Sequence, residues 1–166
     1  MAAVTTLPAA FVANTVLTAD QMNNLRGAFR VLQVVSGTTS TNVSSSTATM
    51  VDTGLTATIT PSSSSSQILV FANHPGSQKS NGSVNNALLL KLFRGSTLLA
   101  FNNSIGAGNG AAAELIFSTS FVYLDSPATT SATTYKTQFS NAVASAVVNV
   151  QYVSIPSNII LMEISA

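Results

Sequence analysis

From residue 29 onward the chain breaks into short runs in which apolar and polar residues alternate with a period of two. Alternation of this kind throws successive side chains to opposite faces of an extended backbone, so it suits half-buried β-strands and not amphipathic helices. In TTYKTQFS, for example, Tyr135, Thr137 and Phe139 point one way while Lys136 and Gln138 point the other. The pattern predicts strands over 30–35, 47–51, 55–60, 67–73, 85–93, 97–101, 113–124, 133–140, 146–154 and 159–165. Between them stand turn signals at Asp52 to Gly54, Pro61 to Ser66, Asn73 to Gly76, Arg94-Gly95-Ser96, Gly106 to Gly110 and Asp125-Ser126-Pro127.

The run of serines at 62–66 could join two separate modules or turn one sheet back on itself. Its flanks decide between these. Thr56, Thr58 and Thr60 alternate with Ala57 and Ile59 on one side, and Ile68 and Val70 alternate with Leu69 and Phe71 on the other, so both flanks are strands in need of partners. Pro61 ends the first because it has no amide to donate to a ladder, and serine hydroxyls bond water and nearby backbone through the reversal. The run is a long turn inside one β domain. About ten short strands with no helical period among them predict an all-β fold, an antiparallel jelly-roll-like β-sandwich over 31–166.

Two strands carry large apolar residues on both faces. Leu89 and Phe93 stand behind Leu88, Leu90 and Leu92, and Ile159 and Leu161 stand behind Ile160, Met162 and Ile164. A two-sheet protein buries only one face of each sheet, so Leu89, Phe93, Ile159 and Leu161 are expected at contacts between copies of the chain.

Residues 1–30 have a different texture and are expected to form an anchor, an extended arm followed by one short α-helix. Phe11, Val12 and Val16 make the arm apolar. In LTADQMNNLRGAF, Thr18 and Gln21 have capping-box spacing, Leu17 and Met22 can form a hydrophobic staple, and Met22, Leu25 and Phe29 give one narrow apolar stripe. That stripe must bury against the chain's own β body, a neighbouring copy or another protein. The N-terminus lacks the basic region of a signal peptide, and no run of 18 apolar residues occurs, so neither secretion nor membrane insertion is expected.

Composition narrows the function classes. Charged residues are 7% of the 166, whereas Ser and Thr supply 24 and 20 positions, so hydroxyls solvate the surface. A chain so poor in charge is weakly repelled by its own copies and suits an assembly. The six basic residues are scattered and the net charge is +1, which gives no stripe for phosphates and no expectation of nucleic-acid binding. With no cysteine there is no disulfide and no thiolate metal or redox site.

Catalytic chemistry finds little support. The single histidine, His74, falls in a predicted loop without a GxSxG elbow or a nearby acid. Glu114 and Glu163 are the only acids that could act as a glycosidase pair. Asp20, Asp52 and Asp125 have structural roles at a helix start and in turns. Gly106, Gly108 and Gly110 lack the helix and parallel strand of a dinucleotide loop, and no metal or cofactor is expected. The loops Asn73 to Asn86 and Asn102 to Gly110 offer neutral hydrogen-bonding groups suited to sugars. They hold His74, Lys79, Asn81, Asn85 and Asn86, and Asn102 and Asn103, with Phe71 and Phe101 near enough in sequence to supply a stacking face.

The stretches VLQVVSGTTST, VDTGLTATITPSSSSSQILV, LKLFRGSTLL, YLDSPATTSATTYKTQFS and IILMEISA together resemble a β-sandwich module at the ends of tail-fibre and other virion proteins of tailed bacteriophages, over about residues 31 to 166. FVANTVLTADQMNNLR resembles the leading segment of many phage structural proteins. The resemblance implies a virion component, assembled in the host cytoplasm, homotrimeric and in contact with other virion proteins. It implies no active-site residues. A fibre-like or knob-like part that faces a host-surface glycan is the expectation; a capsid decoration protein that cements the shell is the alternative, and a glycan depolymerase a remote one.

Overall fold

The structure is a computed structural model that describes residues 30–83, 85–106, 113–144 and 146–165. The described residues form ten strands: β1 (Val31–Thr39), β2 (Val43–Ser45), β3 (Val51–Ile59), β4 (Gln67–Lys79), β5 (Leu88–Arg94), β6 (Thr97–Ile105), β7 (Leu115–Asp125), β8 (Thr133–Asn141), β9 (Val148–Val150) and β10 (Ser157–Ile164), with one 3-10 turn at Tyr152–Ser154. All pairings are antiparallel. One sheet, here the A sheet, runs β1-β10-β4-β9-β2, with β7 on the other side of β4; the B sheet runs β3-β8-β5-β6. The chain is thus the antiparallel, jelly-roll-like β-sandwich that the alternation predicts.

The core fills the space between the sheets. Ile68, Val70, Ala72, Phe121, Ile159 and Leu161 from the A sheet meet Leu55, Ile59, Leu88, Leu90, Leu92, Tyr135 and Phe139 from the B sheet. Each strand supplies alternate residues, as the pleat requires. At one side the sandwich closes tightly. A Cβ on Gly37 of β1 would lie 2.0 Å from the carbonyl oxygen of Thr56 in β3, so only glycine lets these two edges come so near.

Four expected features turn out differently. The strand expected over 146–154 shortens to β9 and gives way to the 3-10 turn at Tyr152–Ser154. The strand expected over 47–51 is replaced by the three-residue β2, and β3 begins at Val51. Asp52 to Gly54, expected as a turn, belongs to β3. The pairing with β8 shifts register between Asp52 and Thr56, and Gly54 takes φ +80° there. Asn73 to Gly76, also expected as a turn, lies within β4, where the register against β7 shifts between His74 and Ser77. In both places Gly or Pro marks an irregularity inside a continuing strand and not its end. The serine run does stay within one β domain, but it carries the chain from β3 in the B sheet across to β4 in the A sheet and does not turn one sheet back on itself; Gly95 turns β5 into β6 with φ +54°.

Candidate functional site

The two outer faces of the sandwich differ in chemistry. On the B sheet the outward side chains are polar or charged at the centre. Lys136 Nζ pairs with Asp52 Oδ1 at 2.9 Å, Gln138 Nε2 donates to the same oxygen at 2.9 Å, and Lys91 Nζ lies 5.0 Å from the centre of the Phe101 ring. The Lys136 hydrogen bond, and then that from Gln138, lowers the Asp52 carboxyl below its ordinary range. This face sets charged and polar groups at its centre, with Phe101 and Leu98 exposed beside them.

On the A sheet the register lines up apolar side chains across four strands. Val34 of β1 stands opposite Met162 of β10, Met162 opposite Leu69 of β4, and Leu69 opposite Leu124 of β7. The next outward row is Ser36, Ile160, Phe71 and Val122. A polar row of Thr38, Asn158, Asn73 and Ser120 follows and closes the patch on that side. None of these positions carries a charge. Val122, Val34 and Leu124 are 67%, 56% and 51% exposed, all on the outer strands of the row. A contiguous exposed apolar patch of this kind marks an interaction surface.

This placement corrects the expected contact residues. Ile159 and Leu161 are 0% exposed within the single chain, so they face its own core and cannot touch a neighbour. In β10 the outward face is that of Ile160, Met162 and Ile164, the reverse of the expectation. Leu89 and Phe93 do point outward, partly exposed, but on the B sheet beside Ser140 and Lys136. Sequence alternation gives the two faces of a strand without saying which faces in. For β10 the missing signal was the neighbour: Ile159 lies against Ala72, and Ile160 against Phe71, a distinction set by register. The anchor residues Phe11, Val12, Val16, Leu17, Met22, Leu25 and Phe29 lie outside the described residues.

The expected glycan loop is also corrected. His74 is buried between the sheets, and its loop is part of β4. His74 Nε2 lies 3.0 Å from Thr137 Oγ1, and Thr137 Oγ1 lies 2.6 Å from Thr53 Oγ1. With the Gln151 amide nitrogen facing the carbonyl oxygens of Thr41 and Thr53, each at 3.2 Å, its oxygen accepts from His74 Nδ1 at 3.1 Å and Ser157 Oγ at 2.7 Å. That orientation gives every polar group of the cluster a partner. Burial lowers the His74 imidazole to about 4, so it is neutral near pH 7 and serves as a bolt between the sheets. Lys79 and Asn86 are fully buried as well; Asn86 Nδ2 donates to the Val147 carbonyl at 2.9 Å. Asn81 and Asn85 are exposed, as is Asn103, while Asn102 Nδ2 donates to the Ser120 carbonyl at 3.2 Å. The seven residues do not form one surface.

The two candidate catalytic acids are far apart. Glu114 Oε1 accepts from Gln78 Nε2 at 3.1 Å, near one end of β4, whereas Glu163 is paired with Ile68 at the other end. Ten residues of strand separate them, about 30 Å, against about 5–9.5 Å in glycosidase pairs. Glu163 is buried, accepting from Ser62 N at 2.7 Å, Ser62 Oγ at 2.6 Å and Gln33 Nε2 at 2.6 Å. Burial pushes its carboxyl up, but those hydrogen bonds outweigh it and hold it at about 2. It staples the serine turn to the ends of β1 and β10. Among the described residues no group of three or more His, Cys, Asp or Glu could hold a metal ion, and no helix is long and apolar enough to cross a membrane.

No protein-family model and no curated protein matches the chain. Among solved structures, the VP2 subviral particle of infectious bursal disease virus is similar over 82% of this chain and 38% of that chain, at 12% identity and a TM-score of 0.41. The chain therefore spans well under half the length of that structure's chain, and no role follows from a likeness of this size.

Proposed function

We propose that the chain is a non-enzymatic structural protein of a virion, a homotrimeric fibre-like or knob-like part of a tailed phage that is held through residues 1–30 and projects its β-sandwich. The observation that carries this reading is the uncharged apolar face of the A sheet, which a free monomer would leave in water and an assembly would cover. The phage-like phrases of the sequence supply the class of assembly. The buried and fully partnered His74, together with the distance between Glu114 and Glu163, supports a role without catalysis. Any contact with a host glycan would fall to exposed residues such as Asn81, Asn85 and Asn103.

Labelling the protein on intact virions and locating the label by negative-stain microscopy tests the reading. Label at the tail or its tip is expected. Label spread over the head would make the chain a capsid decoration protein, and its absence from particles would overturn the virion role.

A further inference from the structure

The A-sheet face invites a specific occupant. Its outward positions Val34, Ser36, Leu69, Phe71, Asn73, Ser120, Val122, Leu124, Asn158, Ile160 and Met162 include no charge, so two copies of this face meet without like-charge repulsion; the B-sheet face, with Lys91, Lys136 and Asp52, has no such freedom. The patch has a definite width. Four strands about 4.8 Å apart give a wall of about 19 Å. Three such walls around a common axis enclose a triangular prism in which each wall stands about 5.5 Å from the axis, close to half of the roughly 10 Å at which sheets pack face to face. The central strands β10 and β4 then present Ile160, Met162, Leu69 and Phe71 to the axis. The outer strands β1 and β7 form the corners, where Val34 of one copy meets Leu124 and Val122 of the next. These corner residues are the three most exposed apolar members of the patch.

We infer that the A-sheet face packs against the same face of two further copies of this chain, making the apolar core of a parallel threefold prism. The inference rests on the homotrimeric reading above and adds the surface through which the three copies meet. Because the copies are parallel, all three chains enter the prism at Arg30 from the same end, which suits attachment through residues 1–29.

The chain has no cysteine, so introduced thiols are the only ones present. In the full-length protein, the double variant Val34→Cys, Leu124→Cys should oxidise to a covalent species that ends at three chains on non-reducing gels, because each corner joins a different pair of copies. A series ending at two chains would overturn the threefold arrangement in favour of a face-to-face dimer. Absence of cross-links, with a mass of 17.0 kDa in light scattering, would overturn the face as a contact between copies and leave residues 1–29 or another protein as its cover. As a second measurement, Leu69→Lys should lower the mass threefold, from about 51 to 17.0 kDa, with an unchanged β circular dichroism spectrum. The B-sheet change Leu98→Lys, at a position 48% exposed, should leave the mass at about 51 kDa. A prism that forms in solution while labelled virions lack the protein would sink the virion role and leave this inference standing.

Discussion

Tyr135 Oη donates to Asp125 Oδ2 at 2.7 Å, which ties β8 of one sheet to the end of β7 in the other. Arg94 Nη1 reaches both oxygens of the same carboxylate, at 2.9 and 2.8 Å. Burial, and then the Asp125 hydrogen bond, raises the Tyr135 phenol far above its ordinary value, so it remains a donor throughout the accessible pH range. Tyr135→Phe keeps the ring and removes the donor. It is expected to cost about 1–3 kcal/mol, seen as a lower urea midpoint with an unchanged slope.

Acid should find His74 first. Its folded value of about 4 lies below the ordinary 6.5, so the unfolded chain binds the proton more readily between these limits. The stability contributed by the neutral ring is therefore complete above about pH 6.5 and is lost as pH falls toward 4, a change of about 3 kcal/mol. Urea unfolding at successive pH values checks this. His74→Gln should flatten the profile in that window, and an equal slope in both proteins would contradict the role of the ring.

Glu163 acts at lower pH. Its folded value of about 2 is below the ordinary 4.5, so the stability it gives is present above 4.5 and drains away as pH falls to 2. Glu163→Gln should lose stability at pH 7 and show less further loss in that acid range than the parent chain. Protection of the Ser62 amide from hydrogen exchange, expected to fall in the variant, reports the same contact locally.

Gly37→Ala asks for space that the β1–β3 closure does not have, since the new carbon would press on the Thr56 carbonyl. A loss on the order of 3 kcal/mol is expected, from backbone shifts at a packed edge. Gly95→Ala has open space but φ +54°, and should cost about 1 kcal/mol from strain alone. Thermal unfolding of both variants separates crowding from backbone conformation.

Removal of residues 1–28 should leave the β-sandwich folded, because its core is assembled from Leu55 through Leu161. Circular dichroism with a retained β spectrum, together with failure to enter particles, is the expected pair of results. Loss of the β spectrum would mean that the N-terminal segment is part of the fold.

The sandwich was legible because it depends on local alternation: Tyr135 and Phe139 inward with Lys136 and Gln138 outward holds in the structure as in the sequence. The serine turn was legible for the same reason, with a strand pattern on each flank. What escaped depends on register. Asn73-His74-Pro75-Gly76 has turn chemistry, yet hydrogen bonds to β7 on both sides of the bulge carry the strand through it and turn His74 into the core. Whether Ile159 or Ile160 faces water was likewise undetermined until β1 and β4 were placed beside them. The apolar patch itself is made of residues as far apart in sequence as Val34, Leu69, Leu124 and Met162, which no local window contains.

β10 lies between β1 and β4, although its residues follow both strands by a long interval. Val31 waits for Ile164, and Gln67 waits for the same residue. During synthesis, therefore, the first strand remains without a partner until nearly all of the domain has left the ribosome, and closure of so distant a pairing is intrinsically slow. A nascent chain interrupted before β10 cannot complete the sheet on which the patch is displayed. Translation would thus gate the proposed assembly: only a copy that has completed β10 owns the surface by which others could recognise it.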